Sequence, residues 1–157
     1  MNVLIRYYSK HGSAKQIAER FADQWHADVK SIDETAQDDA YEKILCVCAV
    51  YMGGMNKAMV QYIKNSSHPN MALCLVGLNK DDAYKTAQDH LNEATKKLSM
   101  IIGVGGVLNF PEMGFFEQKI IAMVNKEKKL LEKIDKKKVY ELWDETNIQQ
   151  IIDWGKV

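Results

Sequence analysis

Residues 2–8 (NVLIRYY) are rich in β-formers, and after the polar segment SKHGSAK the apolar residues Ile17, Ala18, Phe21, Ala22 and Trp25 recur at helical spacing. That order reads as strand, loop, helix. Val29 and Ile32 mark a short second strand, followed by an acidic stretch, DETAQDDAYE at 33–42, with the composition of a solvated helix or loop. Residues 44–50 (ILCVCAV) are continuously apolar, as a central parallel strand covered on both faces requires. Met59, Tyr62 and Ile63 continue as a helix that stops at the turn residues Ser66, Ser67, His68, Pro69 and Asn70. The next buried strand is 71–78 (MALCLVGL), and Ala83, Ala87, Leu91, Ala94 and Leu98 predict a helix over 81–99. Residues 100–108 (MIIGVGGVL) predict one further strand, softened by glycines.

Strands alternating with helices specify an α/β fold with a doubly wound parallel sheet, because each parallel connection needs a crossover and helices must cover both faces. After Phe110 and Pro111 the alternation lapses until a short strand, VYELW at 139–143, and a terminal helix. We read residues 109–138 as an insertion at the last strand. A length of 157 residues suits one domain, so the expectation is a single domain over 1–157.

Formal net charge is zero, which excludes a global field for recruiting nucleic acid. The charges are nevertheless segregated: 33–42 holds five carboxylates and no base, whereas 117–138 holds eight lysines against four carboxylates. Cys46, Cys48 and Cys74 lie in apolar runs, where thiols act as small buried hydrophobes, and the histidines are too scattered for a metal site. With no run approaching ~20 apolar residues and no signal-peptide pattern at the start, the expected compartment is the cytoplasm.

In open α/β sheets, ligands bind beyond the carboxyl ends of the strands where strand order reverses. The loop after the first strand, Ser9, Lys10, His11, Gly12, Ser13, Ala14, Lys15, combines small, hydroxyl and basic residues at the start of a helix. Such a loop suits a phosphate, because unpaired first-turn amides and the helix dipole face outward. An ordinary helix start with Ser13 as N-cap accounts for it equally well. No G-x-x-x-x-G-K-[ST] occurs, and Gly103, Gly105 and Gly106 lie within a strand, so neither a P-loop nor a dinucleotide fingerprint is present. A phosphoacceptor receiver would need carboxylates where Tyr8, Ser9, Val50 and Tyr51 stand.

The segment Ser9-Lys10-His11-Gly12-Ser13-Ala14 resembles the hydroxyl-x-hydroxyl-glycine-x-hydroxyl phosphate loop of the flavodoxin family, with His11 and Ala14 in place of hydroxyl residues. The resemblance implies a five-stranded parallel sheet in order 2-1-3-4-5 and FMN as cofactor. It assigns the FMN phosphate to Ser9, Lys10, His11, Gly12, Ser13 and Ala14, with Ala14 giving its amide. It places the flavin ring against Val50, Tyr51, Met52, Gly53 and Gly54 after the third strand, where an aromatic at a strand tip beside glycines can stack on a flat ligand. Leu78 and Asn79, after the fourth strand, would line the other side of the ring. Because the flavin carries the redox chemistry, no catalytic acid, base or nucleophile is required of the protein.

Within that family the chain is most similar to the flavodoxin-like menaquinone-dependent protoporphyrinogen oxidases, on YSKHGSAKQIAERFA, CAVYMGGMNKAMVQYIKN and the long insertion GVGGVLNFPEMGFFEQKIIAMVNKEKK. That similarity implies a porphyrinogen donor and a quinone acceptor. A soluble flavodoxin-type carrier and a flavodoxin-like module without FMN remain as alternatives. In the insertion, Phe110, Met113, Phe115, Phe116, Ile120, Ile121, Met123 and Val124 precede a lysine-rich stretch. Such a pattern fits a helix packed on the sheet with solvated lysines, a cover over a hydrophobic substrate such as a porphyrinogen or quinone, or contact with an anionic membrane surface, which would make the protein peripheral.

Overall fold

A computed structural model describes residues 2–78 and 80–157. The chain divides into two compact units, Met1–Gly106 with Trp143–Val157, and Val107–Leu142.

The larger unit is built on β1 (Val3–Tyr8), β2 (Asp28–Ser31), β3 (Lys43–Ala49), β4 (Met71–Val76) and β5 (Leu98–Gly103), in the order β2-β1-β3-β4-β5. Every pairing is parallel, with Ile5 opposite Val29 and Leu45, and Cys46 opposite Leu73. Alternate residues of each strand point to opposite faces. Val3, Ile5, Leu45, Val47, Ala72 and Cys74 pack against α1 (Ser13–Trp25) and α5 (Glu145–Lys156). Leu4, Ile44, Cys46, Leu73 and Leu75 pack against α2 (Lys57–Asn65) and α3 (Ala83–Leu91). The sheet is therefore covered on both faces, which explains why its central strands read as unbroken apolar runs.

Two charged residues of the sheet are buried, Lys43 of β3 and Arg6 of β1. Arg6 of β1 is only 4% exposed, and its Nη2 donates to the carbonyls of Ile32 and Glu34, while the guanidinium stacks over Tyr62 of α2. Tyr62 donates to Asp38, so the acidic stretch is tied down from beneath, and Asp38–Ala40 forms a 3-10 turn there. At the far end of the sheet, Gly155 of α5 faces the Trp25 indole of α1 so closely that a Cβ would collide with the ring.

Two expectations fail in detail. The helix predicted over 81–99 ends at Leu91, a 3-10 segment follows over Asn92–Lys97, and β5 begins at Leu98. Asn92 sits at φ 51, which breaks the helical path, and Leu98 joins the sheet opposite Met71. The run 100–108 is likewise divided: β5 stops at Gly103, and β6 (Gly105–Asn109) pairs with β7 (Val139–Trp143) in a separate two-stranded sheet. Gly105 adopts φ 76, a left-handed conformation that redirects the chain.

The smaller unit carries most of β6 and β7, a 3-10 turn at Phe110–Glu112 and α4 (Phe115–Lys128). Phe110 is buried and meets the edge of Tyr140 at a centroid distance of 5.6 Å. Gln118 Nε2 donates to the carbonyls of Phe110 and Met113, and Asn125 joins Leu131 through both its amide groups. No residue of α4 is buried, so its apolar side chains are not core.

Candidate functional site

The carboxyl ends of β1 and β2 open onto a cavity of about 310 Å³ lined by Tyr7, Tyr8, Ser9, Gly12, Lys15, Ser31 and Asp33. Gly12, not Ser13, is the N-cap of α1. Its φ of 96 lies in the left-handed region, where a side chain is strained, and Ser13 is already the first helical residue. The N-cap residue makes no side-chain hydrogen bond to this helix, and the expected Ser13 N-cap is not formed. Ser9 Oγ accepts from the Gly12 amide at 3.0 Å, which shapes the loop and leaves the Ser9 hydroxyl proton free to donate elsewhere. Ala14 is fully buried and packs with Ile17, Ala18 and Phe21, so a hydroxyl is replaced there by a core methyl.

Beyond β3, Val50 continues the ladder by donating to Val76 at 2.8 Å. Tyr51 and Gly54 then exchange two backbone hydrogen bonds, 3.0 and 2.9 Å, closing a tight turn whose central residues Met52 and Gly53 have φ of 51 and 78. Two consecutive positive φ values are characteristic of a type I′ turn. Met52 is 60% exposed at the tip. His90 Nε2 of α3 lies 3.3 Å from the Gly53 carbonyl.

The structure brings these two loops together. Lys10 Nζ stands 3.3 Å from the centroid of the Tyr51 ring, and His11 meets the same ring edge-on at 6.3 Å. One face of Tyr51 therefore carries an ammonium. Leu78 is half-buried just after β4, and Asn79 lies outside the described residues.

Tyr7, Tyr8, Ser31 and Asp33 were missing from the sequence-based site, whereas Lys15 stood in the loop after the first strand. The strand-end rule would have found Ser31 and Asp33 had the loop after β2 been weighed with the others. His90 carries no comparable signal, because only the docking of α3 brings it to Gly53.

The site contains no activated thiol. Burial pushes Cys46 and Cys74 far up from the ordinary thiol range and Cys48 up to about 11. Among the described residues no group of three or more His, Cys, Asp or Glu side chains is placed to hold a metal ion, and no helix is long and apolar enough to cross a membrane.

Comparison with known proteins bears on the fold and the family. No curated protein matches the chain. Among solved structures, the WrbA-like flavodoxin of Agrobacterium tumefaciens superposes with a TM-score of 0.52 at 17% identity, over 80% of this chain and 98% of that one. Oxidised flavodoxin 2 of Bacillus cereus gives 0.51 at 15% identity, over 82% and 99%. A protein of Bacteroides eggerthii gives 0.50 at 12% identity, over 80% and 96%. These likenesses establish the fold, a flavodoxin-like α/β architecture with its sheet in the order 2-1-3-4-5. Residues 4–135 match the flavodoxin domain, and the chain belongs to that family.

Proposed function

We propose that the loops 9–14 and 50–54 bind FMN and that the protein is a flavodoxin-type redox protein. The observation that carries this reading is the start of α1, whose N-cap Gly12 brings no side-chain acceptor to the first-turn amides, beside a serine hydroxyl with its proton available. These donors fit a phosphate monoester: amides at a helix N-terminus, the hydroxyls of Ser9 and Ser13, and the cations Lys10 and Lys15. Ala14 contributes through its amide while its methyl stays in the core, so its departure from the family pattern is compatible with the reading.

FMN, when bound, supplies one- and two-electron redox chemistry. The chain's own residues hold and orient it. Gly12 keeps the loop backbone open to an anion, and Tyr51 offers an aromatic face beside the turn at Met52 and Gly53. The proposal is tested by titrating the protein with FMN and, separately, with riboflavin, following flavin fluorescence. FMN is expected to bind at least ~10-fold more tightly, because only it carries the phosphate. Equal affinities would remove loop 9–14 from the site.

A finer reading is an oxidoreductase of the protoporphyrinogen oxidase type that passes electrons to a quinone. Favouring it is the apolar surface of the unit 107–142, where Phe115, Phe116 and Met123 are each at least 66% exposed, as suits hydrophobic reactants. Its test is turnover of a porphyrinogen by the FMN-loaded protein with menaquinone as acceptor. Failure of that turnover with FMN still bound would leave the carrier reading.

A further inference from the structure

The face of α4 is unlike the other helical surfaces of the protein. At 3.6 residues per turn, Phe115, Lys119, Ala122 and Lys126 fall close to one line, and Phe116 and Met123, seven residues apart, lie together on one side of it. All six are exposed, with Phe115 at 71%, Phe116 at 66% and Met123 at 70%. The arc from Ala122 to Phe116 holds two lysines and no carboxylate, with Glu127 at its margin. Lys119 Nζ lies 4.9 Å from the Phe115 ring, so cation and aromatic share one surface. The chain leaving the helix adds Lys129, Lys133, Lys136, Lys137 and Lys138 against Glu132 and Asp135.

We infer that this face of α4 docks on an anionic lipid bilayer. Large apolar side chains with interspersed lysines on one helical arc are what interfacial helices present. The rings and the methionine enter the acyl boundary while the ammonium groups meet headgroup phosphates. Charge complementarity selects the occupant, since an anionic surface attracts a lysine-rich segment in a chain with zero net charge. The inference is independent of FMN binding.

The test is sedimentation of the full chain with vesicles of roughly one quarter phosphatidylglycerol in phosphatidylcholine, and with phosphatidylcholine alone. Binding to the anionic vesicles only is expected, lost at about 0.5 M salt, where charges are screened beyond a few ångströms. The double variant Phe116→Ser, Met123→Ser and the charge variant Lys119→Glu, Lys126→Glu should each weaken binding at least ~10-fold at unchanged far-UV circular dichroism, because none of these side chains is buried. Equal sedimentation with both vesicle types, or binding untouched by either variant, would overturn the inference. So would concentration-dependent dimerisation abolished by the serine variant, which would make a second copy of the chain the occupant of this face.

Discussion

Lys10 Nζ lies 3.3 Å from the ring centroid of Tyr51, joining the loop after β1 to the loop after β3. Lys10 is exposed and Tyr51 half-buried, and a cation–π contact at such a solvent-accessible site is worth about 0.5–1 kcal/mol, so it is easily exchanged for a stronger one. A phosphate at the start of α1 would supply that stronger partner. Lys10→Gln should therefore weaken FMN binding several-fold at low salt and leave riboflavin binding unchanged, as measured by fluorescence titration at two ionic strengths. Tighter FMN binding in the variant would mean that Lys10 only obstructs the ring.

Gly12 caps α1 at φ 96 with open space around its Cα. Ala in its place meets no neighbour, yet the left-handed backbone costs roughly 1–2 kcal/mol for a residue with a Cβ. Gly12→Ala should lower thermal stability by that amount if the loop holds its shape, or weaken FMN about 5- to 30-fold if the loop gives way. Calorimetry and titration on the same variant distinguish the two. No change in either would show that the left-handed cap is unimportant.

Asp144 caps α5 by accepting from the Asn147 amide at 3.0 Å and also pairs with Lys80 Nζ at 2.9 Å. The Lys80 hydrogen bond first, then the Asn147 amide, hold its carboxyl below the usual range, and Arg20 does the same for Glu145. A depressed folded pKa means that the unfolded chain takes up protons first as pH falls. The stabilisation is complete above the ordinary carboxylate value near 4 and disappears as pH drops through the lower folded values. Both pairs are solvent-accessible, so each contributes no more than about 1 kcal/mol. Asp144→Ala should cost about 1 kcal/mol at pH 7 through the lost cap, and Asp144→Asn much less, since Asn also caps. Denaturant melts at pH 7 and pH 3 check this. A wild-type-minus-Ala difference that grows toward pH 3 would contradict the sign.

How much of this was legible in the residues differs from element to element. The runs at 44–50 and 71–78 announced central parallel strands because burial on both faces leaves no room for polar alternation. Phe21 and Trp25 marked the inner face of α1 through their helical spacing with Ile17 and Ala18. The break at Gly105 was hidden, because 100–108 is uniformly apolar and nothing local tells a strand of the main sheet from one that pairs with 139–143. The end of α3 was hidden too: Ala94 and Leu98 keep the helical period after the backbone has left it. In the site, Ser9 and Gly12 were readable from loop chemistry. The burial of Ala14, the ammonium on Tyr51 and the reach of His90 to Gly53 depend on tertiary packing, which no local pattern encodes.

The most direct measurement is the visible absorption spectrum of the protein after incubation with FMN and desalting, beside a Ser9→Ala, Gly12→Ala variant treated identically. Oxidised-flavin bands that remain with the wild type and are much reduced in the variant are the predicted result. A wild-type protein that emerges colourless, or a variant that keeps the flavin as well as the wild type does, would contradict FMN binding at the start of α1.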